Sequence, residues 1–322
     1  MERFAREMVL RLPRLGPARY RVIGQPPRFA HRAGHLWEQA VLPLDSRSCE
    51  LIYSPANLAP LASRRNVVVI HDAAALRYPE AYSTVYTAYQ RRILPLIARG
   101  ARRVITVSEF SRRELVELLG ISPECIDVIP GGVDERFRRG VDPAPALARH
   151  GLSRPYVLAV GTGSARKNFA ALGPTAARLR EAGIELVVAG SDRDYLRGAG
   201  GGPRRIGYVD DGLMPSLYAG ARALAMPSRY EGFGLPCLEA MATGVPAVIS
   251  PHGALPETCG EAALVADPGD GSQFAEAVLR AATDDDVRSG LIAAGLERAG
   301  WYTWARTAER TDALLTALLG WS

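Results

Sequence analysis

The sequence predicts an α/β protein built from two doubly wound domains. Short β-branched runs, such as NVVVIH at 66–71 and YVLAV at 156–160, alternate with segments long enough to form helices. This alternation is typical of parallel sheets with crossover helices. A stretch rich in proline, glycine and charge, residues 130–155, separates two such series. At 322 residues, the chain is long enough for two hydrophobic cores.

Each half contains its own series of predicted strands. The first half has them at 19–23, 50–54, 66–71, 103–107 and 126–129. The second half has them at 156–160, 185–189, 204–209, 222–226, 247–250 and 263–266, with helices at 168–181, 234–243, 273–282 and about 303–319. We therefore expect an N-terminal domain over 1–139, a linker over 140–154, a C-terminal domain over 155–302 and a closing helix over 303–322.

Composition excludes several classes of function. No apolar run approaches the roughly 18 residues of a membrane span, and neither the four cysteines nor the five histidines have metal-ligand spacing. We expect a cytoplasmic protein with reduced thiols and no bound metal. Residues 1–140 contain 22 arginines and 14 acids, net +8, whereas residues 141–322 have a net charge of −3. The basic half suits an anionic membrane or an acidic substrate, or is an arginine-rich solvated surface; no nucleic-acid-binding motif accompanies it.

Residues 228–250, SRYEGFGLPCLEAMATGVPAVIS, predict an anion site. A strand ends before them, and Pro236 falls where the first turn of a helix accepts proline. Gly232 and Gly234 leave backbone N–H groups uncovered at that helix start, which carries a partial positive charge. Glu231 stands in the loop and Glu239 follows within the helix, in reach of a sugar hydroxyl held near its N-terminus.

This stretch resembles the signature of retaining glycosyltransferases of family 4, group 1, which have the GT-B fold. The family pattern EGFGLPxLEAMAxGxPV matches residues 231–246 closely. The resemblance continues in order along the chain, at VVVIHD (67–72), VSEFSRREL (107–115), VIPGGVDERF (128–137), VGTGSARKN (160–168), GYVDDGLMPSLY (207–218) and GALPETCGEAALVADPGD (253–270). It implies two Rossmann-like domains that face each other across a cleft and bind a nucleotide sugar.

The resemblance also implies roles for particular residues. The implied catalytic residues are His71, Arg166, Lys167 and Glu231, and the implied donor-binding residues are Gly161, Gly232, Phe233, Gly234, Leu235 and Glu239. Glu239 would hold the ribose, Glu231 and the backbone of 232–235 would line the sugar, and His71 would lie near the sugar. Further candidates are Asp72 and Ser108; their alternative roles are to cap a turn and a helix, respectively. No metal cofactor is implied.

Lys167 is the only lysine in a chain with 38 arginines. The resemblance places Arg166 and Lys167 on the donor diphosphate, where negative charge grows as the nucleotide leaves. Cations fixed at that position lower the barrier. An ammonium is compact and can follow a moving phosphate, whereas a guanidinium makes a planar two-pronged contact. We expect this geometric need to explain the retained lysine.

The resemblance is incomplete at the start of the chain. MERFAREMVLRL begins in what resembles the family's first helix, so the first strand and its glycine loop, about 20 to 30 residues, are expected to be missing. We expect the basic domain to meet a glycan or lipid-linked acceptor at an anionic membrane surface, and the chain is most similar to mannosyltransferases of polysaccharide assembly. The alternatives are a GT-B sugar-nucleotide epimerase and a non-catalytic nucleotide-sugar-binding protein. A dehydrogenase is disfavoured because Arg166 stands where the dinucleotide fingerprint needs its third glycine.

Overall fold

A computed structural model of the chain describes residues 2–26, 34–190 and 203–320. Over these residues the strands are β1 (Ile52–Ser54), β2 (Asn66–Val69), β3 (Arg103–Thr106), β4 (Ile126–Val128), β5 (Tyr156–Val160), β6 (Glu185–Ala189), β7 (Arg204–Gly207), β8 (Ala221–Met226), β9 (Ala247–Ile249) and β10 (Ala263–Val265). Each coincides with a predicted strand to within a few residues.

The helices of the described residues follow in chain order. They are α1 (Glu2–Leu15), α2 (Gly34–Leu36), α3 (Leu42–Asp45), α4 (Ala74–Arg77), α5 (Thr84–Gly100), α6 (Glu109–Leu119), α7 (Ala144–His150), α8 (Gly173–Glu181), α9 (Met214–Ala219), α10 (Leu235–Ala242), α11 (Leu255–Cys259), α12 (Gly271–Thr283), α13 (Asp285–Gly300) and α14 (Trp304–Leu319). A π-helical turn, Trp37–Val41, joins α2 to α3, and 3₁₀ turns include Ala165–Lys167 and Phe169–Leu172. None of the helices in the described ranges combines the length and the apolar character that a membrane crossing requires.

The chain divides into two compact units. The first comprises residues 1–132 together with 304–322, and the second comprises residues 133–303. In the first unit the strands form one parallel sheet in the order β1-β2-β3-β4. All four residues of β2 are buried, as expected of a parallel strand covered on both faces.

The C-terminal helix α14 completes the first unit. It packs against α1, where Trp304 meets the ring of Phe4 edge-on at 5.6 Å between centroids. Residues near 20 are also tied to α14, since the Tyr20 hydroxyl donates to Asp312 and Arg19 donates to Thr316. These side-chain contacts replace strand pairing: residues 20–26 form neither strand nor helix, so the strand predicted at 19–23 is wrong.

The second unit contains a parallel sheet in the order β10-β9-β8-β5-β6-β7. The predicted linker 140–154 differs from what is observed, because it contains α7 and belongs to this unit. The prolines that suggested a loop lie at the start of α7, where proline is tolerated. Ala146 of α7 is fully buried and its N–H donates to Ser216 of α9.

Candidate active site

The candidate site lies where the strand order of the second sheet reverses. From β5 the chain proceeds to β6 on one side, and it returns to β8 on the other. Because all of these strands are parallel, the loops after β5 (161–168) and after β8 (227–234) leave from the same edge of the sheet. Such a reversal point in an α/β sheet is where ligands bind, outside the carboxyl ends of the strands.

Lys167 and Glu231 form an ion pair between these two loops. The Lys167 ammonium donates to Oε1 of Glu231, and the two residues are each 6% exposed. The Ser228 hydroxyl donates to the same oxygen at 2.9 Å. Arg166 places Nη1 3.6 Å from Oε2 of Glu231 and donates to the Tyr230 carbonyl at 3.2 Å. One buried carboxylate therefore holds two cations, which leaves the cluster of three with a net charge of +1.

The carboxylate of Glu231 is ionised. Burial alone would raise its pKa, but the charges of Lys167 and Arg166, with the hydrogen bonds from Lys167 and Ser228, hold the pKa of Glu231 below its usual value. Lys167 therefore faces a fixed negative charge when the site holds no ligand. An incoming anion has to compete with this carboxylate or share the ammonium with it.

Hydrogen bonds to backbone carbonyls fix the two loops to each other. The N–H of Arg229 donates to the carbonyl of Arg166 at 2.8 Å, and the amide of Asn168 donates to the carbonyl of Pro227 at 3.1 Å. Asn168 has a φ of +55°, a left-handed conformation that asparagine tolerates better than most residues. This turn ends the short 3₁₀ helix Ala165–Lys167 and sets the direction of the lysine.

A third loop, 250–254 after β9, supports Glu231 from behind. The N–H of Ala254 donates to the Glu231 carbonyl at 2.9 Å. Gly253 has a φ of +69°, and a Cβ added there would lie 2.6 Å from the backbone nitrogen of Glu231. Only glycine fits this contact, so the backbone of Glu231 is held on two sides.

Helix α10 begins beside the cluster and carries Glu239. Gly234 occupies the N-cap with a φ of +95°, and a Cβ there would be 2.9 Å from a methyl group of Leu255. Glu239 is buried, and its Oε2 accepts a hydrogen bond of 3.0 Å from the Tyr218 hydroxyl of α9. The predicted pair of glutamates thus lies at one edge of the sheet, one on the loop and one on the helix.

The other predicted donor-binding residues lie in the same segment. Gly232 is buried, and Leu235 is the first residue of α10. The Phe233 ring packs edge-on against Tyr302 at 5.6 Å, and its carbonyl accepts from the Thr258 hydroxyl. Gly161 lies under the side chain of Lys167: the three atoms nearest to a Cβ added at Gly161 all belong to this lysine.

The remaining predicted residues belong to the first unit. His71 follows β2; its Nε2 donates to the Pro55 carbonyl at 3.1 Å, and burial lowers its pKa to about 4, so the ring is neutral at pH 7. Asp72 accepts from the N–H of Ala74 at 3.0 Å. Ser108 is the N-cap of α6 and accepts from the N–H of Ser111 at 3.0 Å, as the capping alternative predicted.

Three contributors to the site were not singled out from the sequence: Ser228, Asn168 and Tyr218. Each stands inside a motif that the sequence analysis quoted, but the partner of each is remote along the chain or depends on loop geometry. Within the described ranges, no group of three or more His, Cys, Asp or Glu side chains is placed to hold a metal ion.

Two family models match the chain. The model described as Glycosyltransferase Family 4 matches residues 1–137, and the model described as Glycosyl transferases group 1 matches residues 154–284. Together they cover most of residues 1–284, with parts of both units.

Curated relatives include proteins named as mannosyltransferases. O-antigen chain mannosyltransferase B of Escherichia coli is 34% identical over 276 residues, which are 81% of this chain and 72% of that protein. Mannosylfructose-phosphate synthase of Agrobacterium fabrum is 29% identical over 68% of this chain, and MMP α-(1→4)-mannosyltransferase of Mycolicibacterium hassiacum is 33% identical over 54% of it. The matched region spans 54% and 44% of these two proteins, about half of their length.

Solved structures share the fold. Sucrose-phosphate synthase of Thermosynechococcus elongatus aligns with a TM-score of 0.71 at 22% identity, over 94% of this chain and 82% of that one. HepE of Anabaena, solved in complex with UDP-glucose, aligns with a TM-score of 0.70 at 20% identity, over 86% and 81%. The predicted architecture of two parallel-sheet α/β domains, characteristic of GT-B structures, is confirmed.

Proposed function

Since this chain belongs to glycosyltransferase family 4, group 1, we propose that it transfers a hexose, with mannose the first choice, from a nucleoside-diphosphate sugar to a glycan or glycolipid hydroxyl. That it is a glycosyltransferase acting in glycan synthesis follows from its relatives. The identity of the sugar, the acceptor and the stereochemical course are parts of the proposal.

The observation that carries the proposal is the Lys167–Glu231–Arg166 cluster. In the proposed reaction the bond between the anomeric carbon and the β-phosphate oxygen breaks, and the acceptor oxygen bonds to the same face of that carbon. Because the new bond forms on that face, configuration is retained. The acceptor proton passes to the departing phosphate. Lys167 and Arg166 stabilise the charge that grows on the leaving group.

Glu231 has a second part in this scheme. Before the donor binds, its carboxylate holds Lys167 in place. When the diphosphate binds, it shares the ammonium with this carboxylate, which also accepts hydrogen bonds from hydroxyl groups of the sugar and stabilises positive charge near the anomeric carbon. Glu239, fixed by Tyr218, is proposed to hold the ribose.

No divalent cation takes part in the proposed reaction, because the two side-chain cations supply the charge that a metal ion would otherwise bring to the diphosphate. We therefore expect that excess EDTA leaves the initial rate unchanged, and that added Mg²⁺ or Mn²⁺ raises it less than twofold. A rate that depends on added metal would contradict this part of the proposal.

A donor panel tests the function. UDP-glucose, GDP-mannose and related nucleotide sugars are first screened for binding by calorimetry, and the release of nucleoside diphosphate and the product are then measured. We expect one donor to be cleaved, and Lys167→Met to lower kcat by about 100-fold. Arg178→Ala, which removes an exposed cation of α8, is the matched control. Donor binding without cleavage would instead support the non-catalytic alternative, and unchanged kcat in Lys167→Met would refute the role of Lys167.

The first unit is proposed to bind the acceptor. A cavity of about 840 Å³ lies within this unit, beside β1. Apolar side chains of α1, including Met8 and Leu12, form one wall of the cavity. Arg19 and Arg21 also line it. An apolar wall with cationic groups suits a lipid-linked acceptor that carries phosphate. We further propose that this unit touches an anionic membrane surface through α1.

A further inference from the structure

Ser228 occupies a fixed position behind the ion pair of the candidate site. The residue is fully buried, and its hydroxyl donates to Oε1 of Glu231 at 2.9 Å, the oxygen that also accepts from Lys167. Oε1 therefore accepts one hydrogen bond from a charged group, Lys167, which must respond to a ligand. It accepts a second from a neutral group, the Ser228 hydroxyl, which has no exposed surface.

The backbone around Ser228 is held from three directions. The Ser250 hydroxyl donates to the Ser228 carbonyl. On either side of it along the chain, Pro227 accepts from Asn168 and Arg229 donates to Arg166. Because this backbone is fixed, the position of the Ser228 hydroxyl is also fixed, and it does not adapt to movements of the Glu231 carboxylate.

We propose that Ser228 is a positioning residue for glycosyl transfer, which acts through Oε1 of Glu231 to keep the Lys167 ammonium aligned with the departing diphosphate. This inference rests on the proposed function of Lys167. A lysine ammonium sits at the end of a flexible four-carbon stem. Its alignment therefore depends on the carboxylate, and the carboxylate depends on Ser228, because Arg166 is 3.6 Å from the other oxygen and constrains it less.

Removing the hydroxyl should change the reaction more than the fold. In Ser228→Ala, Glu231 keeps both cations but can turn about its terminal bond, so Lys167 samples positions away from the diphosphate. We expect kcat for nucleoside diphosphate release to fall about tenfold, the usual scale for a lost hydrogen bond to a charged group, with the donor KM changed less than threefold.

The chain offers a matched control in Ser216. This serine is also buried in the second unit, but its hydroxyl donates to the Asp142 carbonyl and accepts from the N–H of Ala146, neither of which is a described partner of Glu231. Ser216→Ala thus reports the general effect of losing a buried hydroxyl. We expect its kcat to stay within twofold of the parent enzyme even if its melting temperature drops as much as that of Ser228→Ala.

Two readouts separate positioning from a merely structural role. Because Lys167 is the only lysine, protein labelled with ¹⁵N-lysine gives one side-chain ammonium signal. We expect this signal to shift and exchange faster with water in Ser228→Ala and not in Ser216→Ala. Second, the acid limb of the kcat–pH profile should move to higher pH in Ser228→Ala, because a hydrogen bond that lowers the pKa of Glu231 is lost.

The other titratable and charged groups that face Glu231 do not account for this shift of the acid limb. Lys167 and Arg166 approach from the loop after β5, and Cys237 approaches from α10. A hydrogen bond with Cys259, and then burial, raises the pKa of the Cys237 thiol well above its usual value, so this group stays neutral over the acid limb.

The outcomes are distinct. If the lysine signal, the pH profile and kcat of Ser228→Ala all match the parent enzyme while Lys167→Met loses activity, the inference about Ser228 fails and the proposed function stands. If Lys167→Met is fully active, the proposed role of the lysine fails. A tenfold fall in both serine variants would show a structural effect and also overturn the inference.

Discussion

Gly161, directly after β5, leaves room for the long side chain of Lys167 because it has no side chain of its own. Its φ is +154°, and a Cβ placed on it would lie 2.8 Å from Cε and 3.0 Å from Cδ of Lys167. Real Cβ atoms do not approach other carbons so closely, so the lysine stem crosses this residue only because it is glycine. The sequence pattern predicted Gly161 as a donor-binding residue; the described geometry adds that it makes room for Lys167.

A substitution at Gly161 should therefore act on the lysine. We expect Gly161→Ala to push the Lys167 stem away and to lower kcat/KM for donor cleavage by about tenfold or more, while a left-handed alanine costs about 1–2 kcal/mol of stability. The measurement is steady-state cleavage with a thermal melt alongside. Gly173→Ala is the control, since its φ is −54° and the added Cβ would meet no described atom within 4 Å apart from its own helix and chain neighbours. Equal rates for the two variants would contradict this account.

The ion pair marks the limit of what the residue pattern could predict. Lys167 and Glu231 were each assigned to the donor, through different motifs. Their contact joins residues 64 positions apart, and it depends on two loops meeting at the reversal of a sheet. Local patterns carry no information about that meeting. For the same reason the sequence did not reveal Ser228 as the third member of the contact.

At the scale of elements, the parallel strands were predictable and their surroundings were less so. Apolar runs flanked by turn residues mark most of the ten strands of the described residues, because buried parallel strands are apolar on both faces. The segment at 19–23 has the same β-branched character, but Tyr20 and Arg19 bond to α14, which lies far away in sequence. Prolines near 143 suggested a linker, yet proline is also compatible with a helix start, and α7 forms there.

Helix α1 carries the proposed membrane contact. One side packs in the first unit through Phe4, Met8 and Leu12, which are buried. Val9, Leu10 and Leu15 remain exposed, at 45%, 48% and 42%. Exposed arginines at positions 6 and 14 accompany them. A helix that presents aliphatic and cationic side chains together is suited to the interface of an anionic bilayer.

We expect Leu10→Ser to weaken binding to vesicles that contain anionic lipid, because it removes apolar surface that would enter the interface and leaves the arginines in place. The test is sedimentation with vesicles of phosphatidylcholine alone or mixed with phosphatidylglycerol. Leu44→Ser, which changes an exposed leucine of α3, is the matched control. Equal binding of the parent protein to neutral and anionic vesicles would argue against the proposed contact.

At the scale of the whole molecule, the family pattern predicted two sheet-based units. Which unit each segment of the chain belongs to was predicted less completely. A closing helix was expected over 303–322, but its membership of the first unit depends on contacts such as Phe4 with Trp304 that span almost the full sequence. Hydrophobic periodicity predicts that a helix forms. It does not predict which core receives it.

The pH dependence of stability should reflect His71. Its folded pKa, lowered by burial to about 4, lies below the unfolded value of 6.5, so the unfolded chain binds the proton more readily. Stability from this residue is complete above pH 6.5 and is lost as the pH falls toward 4. Between pH 7.5 and 5 we expect a loss of about 2 kcal/mol that is absent in His71→Gln, measured by urea unfolding. His252→Gln, at an exposed histidine, should keep the loss; a parent protein equally stable at both pH values would refute the assignment.

The unit formed by both ends of the chain has a consequence for biosynthesis. Residues 133–303 are contiguous, so this part can fold as soon as it has left the ribosome, whereas α1 must wait for α14 before Trp304 can cover Phe4. After residue 132 has been made, the side of the N-terminal segment that faces α14 therefore stays uncovered while the whole second unit, residues 133–303, is synthesised at about 5–20 residues per second. Helix α14, which is made after the second unit, ends this exposure.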